Sequence, residues 1–261
     1  MSGDSALLLQ AVGELARLMG AAALRHYRTG IAVERKGDGS PVTLADREAE
    51  RAARAWIAAR FPGDGILGEE FGEAAGGTGR TWLLDPIDGT KTFVRGVPLW
   101  GSLVALAEGD TVLAGAAAFP ALGELVAAAR GAGCWHDGVR CRVSDVARLS
   151  DATILTSEVE RFAGSSRRRG WEALAAEAAV PRTWGDCYGY LLVATGRAEA
   201  MVDVGLNPWD IACFVPVIEE AGGTIEDFSG RPYPPLRDAI AVNRALTAEV
   251  RSRLGTGPEG G

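Results

Sequence analysis

The segment WLLDPIDGT, residues 82–90, constrains the fold more than any other part of the chain. It opens with apolar residues typical of a buried strand, then places Asp85 and Asp88 on either side of Pro86-Ile87, followed by Gly89. Aspartates in a Pro/Gly turn are usually turn formers. Two carboxylates held against an apolar strand are costly without compensation, so this pair predicts a bound cation.

Other acids also fall where predicted regular elements end. Glu69 and Glu70 follow a short strand, and Asp210 lies three residues after Asn207, the predicted N-cap of a helix. A single aspartate at that position ordinarily interacts with the helix dipole. The chain has two histidines and four scattered cysteines, which do not form a zinc-binding pattern. Oxygen ligands and Mg²⁺ are therefore the better match.

The order of the predicted elements indicates a mixed α and β chain. Residues 5–28 and the segment after Thr43 have the apolar spacing of amphipathic helices, and a meander of short strands follows. After residue 150 strands and helices alternate, including one predicted helix over NPWDIACFVPVIEEAGG. We predict one functional unit made of an N-terminal part with the main metal motifs (1–150), a C-terminal part with Asp210 and the specificity residues (151–254), and a disordered tail (255–261).

Composition limits the partners of the chain. With 261 residues, 47% of them hydrophobic, it is long enough to bury a substantial core. Its net charge of −7 disfavours binding to nucleic acid or to an anionic membrane. The N-terminal segment lacks the basic start of a signal peptide, and no apolar run approaches the ~20 residues of a membrane span. We therefore expect a cytoplasmic protein with four free, buried thiols.

The motifs resemble those of the inositol monophosphatase superfamily. WLLDPIDGTKTF is similar to its D-P-I-D-G-T signature, SPVTLADREAE to its V-T-x-A-D segment, ILGEE to its G-E-E, and NPWDIACFVPVIEEAGG to its C-terminal W-D…EAGG signature. These four motifs stand in the family's order and cover nearly the whole chain. The resemblance implies a sandwich of alternating helix and sheet layers, a homodimer, and an Mg²⁺-dependent phosphomonoesterase with two or three ions per site.

The resemblance also implies a role for individual residues. The metal ligands would be Glu69, Asp85, the backbone carbonyl of Ile87, Asp88 and Asp210, with Asp85 bridging two ions. Asp46, Thr90 and Glu69 would act on the attacking water, and the backbone N–H groups of Gly89 and Thr90 would bind the phosphate. Glu70 and Lys36 would lie near the metal site without contacting an ion directly. Lys36 is equally compatible with a solvated loop charge. A metal pair lowers the pKa of a bound water toward about 7 and stabilises the leaving alkoxide, so we expect direct in-line attack by a metal-activated water without a phosphoenzyme.

The substrate prediction depends on the segment GDCYGY, which resembles the D-C-Y-x-Y segment of histidinol-phosphate phosphatases. Asp203 holds the place of an acid that contacts substrate hydroxyls in inositol-specific members. An additional carboxylate, Asp186, suits a positively charged substrate, although it could instead cap the helix that follows. The predicted substrate-binding residues are thus Asp186, Asp203 and Asn207.

Three functions remain open from the sequence. The first is hydrolysis of L-histidinol phosphate to L-histidinol in histidine biosynthesis. The second is hydrolysis of inositol-1-phosphate, or of sugar phosphates with broad specificity, at the same metal site. The third is a non-catalytic metal-binding relative, which the complete set of predicted catalytic and metal-binding residues argues against.

Overall fold

The computed structural model describes residues 3–35, 37, 41–163, 167–234 and 237–255. The helices within them are α1 (Gly3–Leu24), α2 (Leu44–Arg60), α3 (Thr90–Val94), α4 (Arg168–Glu177), α5 (Cys187–Ala194), α6 (Pro208–Ile211), α7 (Phe214–Glu220) and α8 (Thr247–Leu254). The strands are β1 (Val33–Arg35), β2 (Pro41–Thr43), β3 (Gly65–Gly68), β4 (Gly72–Ala74), β5 (Arg80–Asp88), β6 (Gly101–Glu108), β7 (Thr111–Phe119), β8 (Glu124–Ala129), β9 (Gly133–His136), β10 (Val139–Arg140), β11 (Thr153–Leu155), β12 (Val180–Arg182), β13 (Ala200–Val204), β14 (Thr224–Glu226) and β15 (Asp238–Val242). The predicted tail lies outside the described residues except for Gly255.

The larger sheet has eight strands in the order β10-β9-β8-β7-β6-β5-β3-β4. Its strands β6 to β9 form the antiparallel meander that the sequence predicts, and β10 extends it, whereas β3 runs parallel to β5. Side chains alternate across it: Trp82 and Leu84 pack in the core beneath α1 and α2, while Leu83 packs on the opposite face. The sheet therefore buries both of its faces.

Helix α1 is apolar and long enough to cross a bilayer by length and composition, contrary to our expectation that no segment is. In the structure its apolar residues, among them Val12, Leu15 and Met19, are buried. They belong to the core cluster between α1, α2 and the larger sheet. The hydrophobicity of α1 is thus accounted for by packing within the fold. The helix ends at Leu24, four residues before the predicted end, and a series of turns follows.

The smaller sheet has five strands in the order β12-β11-β13-β15-β14. Met201 faces a core shared with the larger sheet and with α5, α6 and α7, while Ala200 and Val202 face α4 and α8. Layers of helices and sheets therefore alternate through the molecule, which confirms the predicted fold class. The larger sheet is built from residues before 150 and the smaller sheet from residues after it.

The prediction of one continuous helix over NPWDIACFVPVIEEAGG is wrong, because the segment forms two helices, α6 and α7. Pro216 has no N–H to donate to the carbonyl of Ala212, and its ring collides with a carbonyl in that position of a regular helix. The turn at Cys213 lies against β7, where a Cβ added to Gly115 would come within 2.2 Å of the Cys213 carbonyl oxygen. The four cysteines are free and buried, as the sequence predicts.

Candidate active site

Strand β5 ends in a β-bulge that brings two acids together. Asp85 pairs with Leu103 and Asp88 pairs with Gly101, so a step of three residues on β5 faces a step of two on β6. Residues three apart on a regular strand point to opposite faces. The additional residue at Pro86-Ile87 turns the strand so that both carboxylates reach one place.

Helix α6 supplies the third acid of this cluster. Carboxylate oxygens of Asp85, Asp88 and Asp210 lie within 4.8 Å of one another. The backbone N–H of Asn207, at the N-cap of α6, donates to Oδ2 of Asp210 at 2.8 Å and so fixes that carboxylate. Asp210 therefore caps its helix and also takes part in the acidic cluster, two roles that are compatible.

Burial and mutual repulsion raise the pKa values of the carboxyls of Asp85, Asp88 and Asp210. Burial raises the pKa of Asp85 well above its ordinary value, and the charges of Glu69, Asp88 and Asp210 raise it further. Burial and the neighbouring Asp186 and Asp210 likewise raise the pKa of Asp88, and burial is the main cause that raises the pKa of Asp210 to about 7. The charge of Glu69 is the largest electrostatic cause after burial that raises the pKa of Asp85, so a cation between the two acids would relieve their repulsion.

This donor set fits a hard divalent cation. All its side-chain ligand atoms are carboxylate oxygens, which are the ligands that Mg²⁺ prefers. A cation among them would offset the repulsion that raises the three pKa values. The Ile87 carbonyl also lies at the cavity and accepts the hydroxyl of Thr90 at 3.0 Å. Glu69, Asp85, Ile87, Asp88 and Asp210 are thus brought together as the sequence predicts, and their roles as ligands stay a prediction.

Glu69 lies in the tight reversal between β3 and β4, which a buried acid of α2 supports. The carboxylate of Glu50, fully buried, accepts the N–H of Glu70 at 2.7 Å and that of Phe71 at 3.2 Å. Arg54 forms an ion pair with it at 2.8 Å. A Cβ on Gly68 would come within 2.0 Å of the Glu50 oxygen, which explains the glycine of the G-E-E motif.

Asp46 and Thr90 lie near the acids but do not hydrogen-bond each other in the structure. Oδ2 of Asp46 accepts the N–H and hydroxyl of Thr43, both at 2.7 Å, in a capping arrangement at the start of α2. Its Oδ1 is buried without a hydrogen-bond partner among the residues described. Burial, followed by the charge of Glu69, raises the pKa of Asp46. This unpaired acceptor is compatible with the predicted role in holding a water.

Gly89 and Asp186 come into close contact across the cavity. Gly89 has a φ of 82° before the short helix α3, and a Cβ there would come within 2.8 Å of Oδ2 of Asp186. The hydroxyl of Thr92 donates to that same oxygen at 2.9 Å. Asp186 precedes α5, but its side chain caps no helix N–H. The capping alternative is therefore wrong, because Asp88 instead accepts the N–H of Cys187 at 2.6 Å.

The acids open into a cavity of about 630 Å³. It is lined by Pro41, Glu69, Asp85, Ile87, Asp88, Gly89, Thr90, Lys91, Glu158, Arg161, Asp186, Val204, Gly205, Asn207 and Asp210. The two basic side chains in this lining, Lys91 and Arg161, both form ion pairs with Glu158. A larger cleft of about 760 Å³ around Arg140 and Arg244 contains none of the predicted site residues.

The predicted substrate-binding residues are placed differently. Asp186 and Asn207 line the cavity, whereas Asp203 is buried beneath it and is not part of the lining. The oxygens of Asp203 accept hydrogen bonds from the N–H and hydroxyl of Ser157 and from the hydroxyls of Thr156 and Tyr190. These four donors occupy the carboxylate, which favours a supporting role for Asp203 over direct contact with a substrate.

Of the two outer residues, Glu70 is half-buried and does not line the cavity, and Lys36 lies outside the described residues. The sequence interpretation missed Glu50, Thr92, Glu158 and Arg161. Glu50 had a detectable signal, because an apolar helix face that includes a glutamate requires a partner for it. Thr92 lies far along the chain from its partner Asp186, and Glu158 lies far from Lys91, whereas Arg161 pairs with Glu158 three residues before it.

The chain is similar to known proteins over most of its length. A model described as the inositol monophosphatase family matches residues 5–255. A histidinol-phosphatase of Chlorobaculum parvum is 42% identical over 95% of this chain and 97% of its own, and one of Mycobacterium tuberculosis is 38% identical over 98% and 100%. Among solved structures, an IMPase of Thermotoga maritima is 31% identical, with a TM-score of 0.86 over 94% of this chain and 96% of its own.

Proposed function

The chain belongs to the inositol monophosphatase family, and we propose that it hydrolyses L-histidinol phosphate to L-histidinol and phosphate with Mg²⁺ as its cofactor. Family membership and the similarity to two histidinol-phosphatases make it a phosphoric monoester hydrolase. The observation that carries the choice of substrate is the carboxylate of Asp186 in the cavity.

Asp186 differs from every other acid of the cavity. Asp85, Asp88 and Asp210 converge on the proposed metal site, Glu69 lines the same cavity, and Glu158 is neutralised by Lys91 and Arg161. Asp186 accepts a hydroxyl from Thr92 and forms no ion pair with any residue that the structure describes. Burial, together with the charges of Asp203 and Glu158, raises its pKa, so a positively charged ligand would relieve it. The amine and imidazole of histidinol phosphate supply that charge.

The metal site follows from the cluster of acids. Glu69, Asp85 and the Ile87 carbonyl would hold one ion, and Asp85, Asp88 and Asp210 a second, with two or three ions in all. When bound, Mg²⁺ supplies Lewis acidity and a charge that offsets the repulsion between a phosphate dianion and its nucleophile.

The chain's own groups orient the reaction. Asp46, through its unpaired Oδ1, and the hydroxyl of Thr90 would hold the attacking water and receive its proton. The backbone N–H groups of Gly89 and Thr90 would bind phosphate oxygens. We expect attack to be in line and direct, because a bound metal pair would supply a water nucleophile and no side chain would then need to be phosphorylated. A phosphorylated protein trapped during turnover would contradict this proposal.

The rival substrate is inositol-1-phosphate or a range of sugar phosphates, which the family description and the similarity to an IMPase support. The proposal extends to a cytoplasmic homodimer that binds neither nucleic acid nor membrane. The net charge of −7 supports the last two points.

Phosphate release tests the proposed function. With Mg²⁺, we expect purified protein to release phosphate from L-histidinol phosphate faster than from glycerol 2-phosphate, and we expect a chelator to stop both reactions until Mg²⁺ is restored. Release that persists in the chelator would contradict the metal requirement. Failure to hydrolyse any monoester would support the non-catalytic alternative.

Glu50 offers a test of how the metal ligand Glu69 is held. Replacing Glu50 with glutamine removes its charge from Arg54 and weakens its hold on the N–H groups of Glu70 and Phe71. We expect Mg²⁺ affinity, measured by calorimetric titration, to fall roughly 10- to 100-fold, as for other residues that orient metal ligands. Glu48→Gln, at a half-exposed position of the same helix, is the control and should bind Mg²⁺ as the wild type does. Equal affinities for the two variants would exclude this role.

A further inference from the structure

The backbone of Asp186 is held in an unfavourable conformation. Its φ of 48° and ψ of −149° lie in a region that residues with a Cβ seldom adopt. Such a conformation persists only where surrounding contacts impose it. Capping of α5 does not impose it, because the side chain of Asp186 caps no helix N–H.

Ser157 supplies a contact that holds this backbone directly. Its Oγ accepts the backbone N–H of Asp186 at 3.0 Å, so it holds the strained residue by its main chain. The preceding Gly185 lies against the same serine, where a Cβ would come within 2.9 Å of the Ser157 Cα. Gly185 and Asp186, the two residues that precede α5, therefore both contact Ser157.

Ser157 is itself fixed by Asp203. The serine hydroxyl donates to Oδ2 of Asp203 at 3.0 Å, and its N–H donates to Oδ1 at 2.8 Å. Tyr190 donates its hydroxyl to Oδ2 at 3.0 Å, which links α5 to the same acid. Because its hydroxyl proton goes to Asp203, Ser157 presents a lone pair to the N–H of Asp186. The hydrogen bonds therefore run in one direction, from the N–H of Asp186 to the Ser157 hydroxyl and from that hydroxyl to the Asp203 carboxylate.

We infer that Ser157 is a positioning residue that holds the Asp186 carboxylate in the cavity for the cationic part of the substrate, with Asp203 and Tyr190 acting through it. The inference rests on the proposed function for the identity of the ester. It gives a role to Asp203, a buried acid that does not line the cavity. It also assigns a purpose to both the aspartate and the second tyrosine of DCYGY.

Ser157→Ala tests the inference, because it removes the hydroxyl and keeps the N–H bond to Asp203. We expect the ratio of kcat/KM for L-histidinol phosphate over glycerol 2-phosphate to fall about five- to tenfold, the size expected for the loss of one hydrogen bond between uncharged groups, here the Asp186 N–H and the Ser157 hydroxyl. In an Asp186→Asn background the same substitution should cause no further fall in the ratio. Equal losses on both esters, or additive losses in the double variant, would overturn the inference.

Two further readouts separate this inference from the proposed function. A crystal structure of Ser157→Ala should show Asp186 with a negative φ and without its Thr92 hydrogen bond; an unchanged Asp186 would overturn the inference whatever the substrate. A wild-type protein that does not prefer the cationic ester would instead contradict the proposed substrate. If Ser157→Ala does not fold, Tyr190→Phe should lower the selectivity ratio at least about twofold, and an unchanged ratio there would overturn the inference.

Discussion

Asp85→Asn should abolish hydrolysis, with kcat/KM for L-histidinol phosphate falling roughly 10³-fold or more. Asp85 lies close to Asp88 and Asp210 in the cluster, and the charges of those two acids and of Glu69 act on it. Asparagine keeps the oxygen that accepts the N–H of Ile87 at 3.0 Å, but it lacks the negative charge that a divalent cation requires. Metal binding, rather than folding, should therefore be lost.

This difference between binding and folding can be measured. The wild-type carboxyl is buried among like charges, so a neutral amide should leave the Tm of the metal-free protein unchanged or higher. The increase in Tm that Mg²⁺ causes in the wild type should disappear. Asp110→Asn, at an exposed turn, is the control and should retain both activity and the Mg²⁺-dependent increase. An Asp85→Asn protein that keeps more than about a tenth of the activity would contradict the assigned metal site.

Asp186→Asn should change selectivity more than any other substitution in the cavity. We expect kcat/KM for L-histidinol phosphate to fall roughly 10- to 100-fold, since a charge-assisted hydrogen bond between buried groups is replaced by a neutral one. Hydrolysis of glycerol 2-phosphate, whose alcohol is uncharged, should fall much less. Asparagine retains an oxygen that can accept the Thr92 hydroxyl, so the local packing is preserved.

Steady-state kinetics with both esters check this expectation. Asp145→Asn is a matched control, because it removes one negative charge from a residue that is 82% exposed and ion-paired with Arg142. It should leave the selectivity ratio at the wild-type value. Equal losses on both esters for Asp186→Asn would mean that Asp186 acts in the chemistry or in the fold rather than in recognition.

The mixed α and β class and the pair of acids on β5 could be predicted because their signals are local, whereas the grouping of Asp210 with that pair came from the resemblance to a known family. Asp85 and Asp88 are three residues apart, and the Asn207–Asp210 spacing is itself a capping pattern. The meander of β6 to β9 follows from short apolar runs divided by turn residues. Periodicity of apolar residues likewise located α1 and α2.

What could not be predicted depends on contacts between distant segments. The division of α6 from α7 combines Pro216 with the close approach of Cys213 to Gly115, about a hundred residues earlier. The occupied carboxylate of Asp203 depends on Ser157, which belongs to another chain segment. Resemblance to inositol-specific relatives assigned Asp203 to the substrate, whereas its four hydrogen bonds favour a supporting role. Sequence spacing carries no information on which donors such a carboxylate will meet.

An internal competition assay tests the central claim most directly. Equal concentrations of L-histidinol phosphate and inositol-1-phosphate are mixed with the Mg²⁺-loaded protein, and both esters are followed by phosphorus NMR. The ratio of the initial rates equals the ratio of the two kcat/KM values. We predict that histidinol phosphate is consumed at least roughly tenfold faster, because it alone supplies a cation to Asp186. Equal consumption of the two esters, or faster loss of inositol-1-phosphate, would contradict the account.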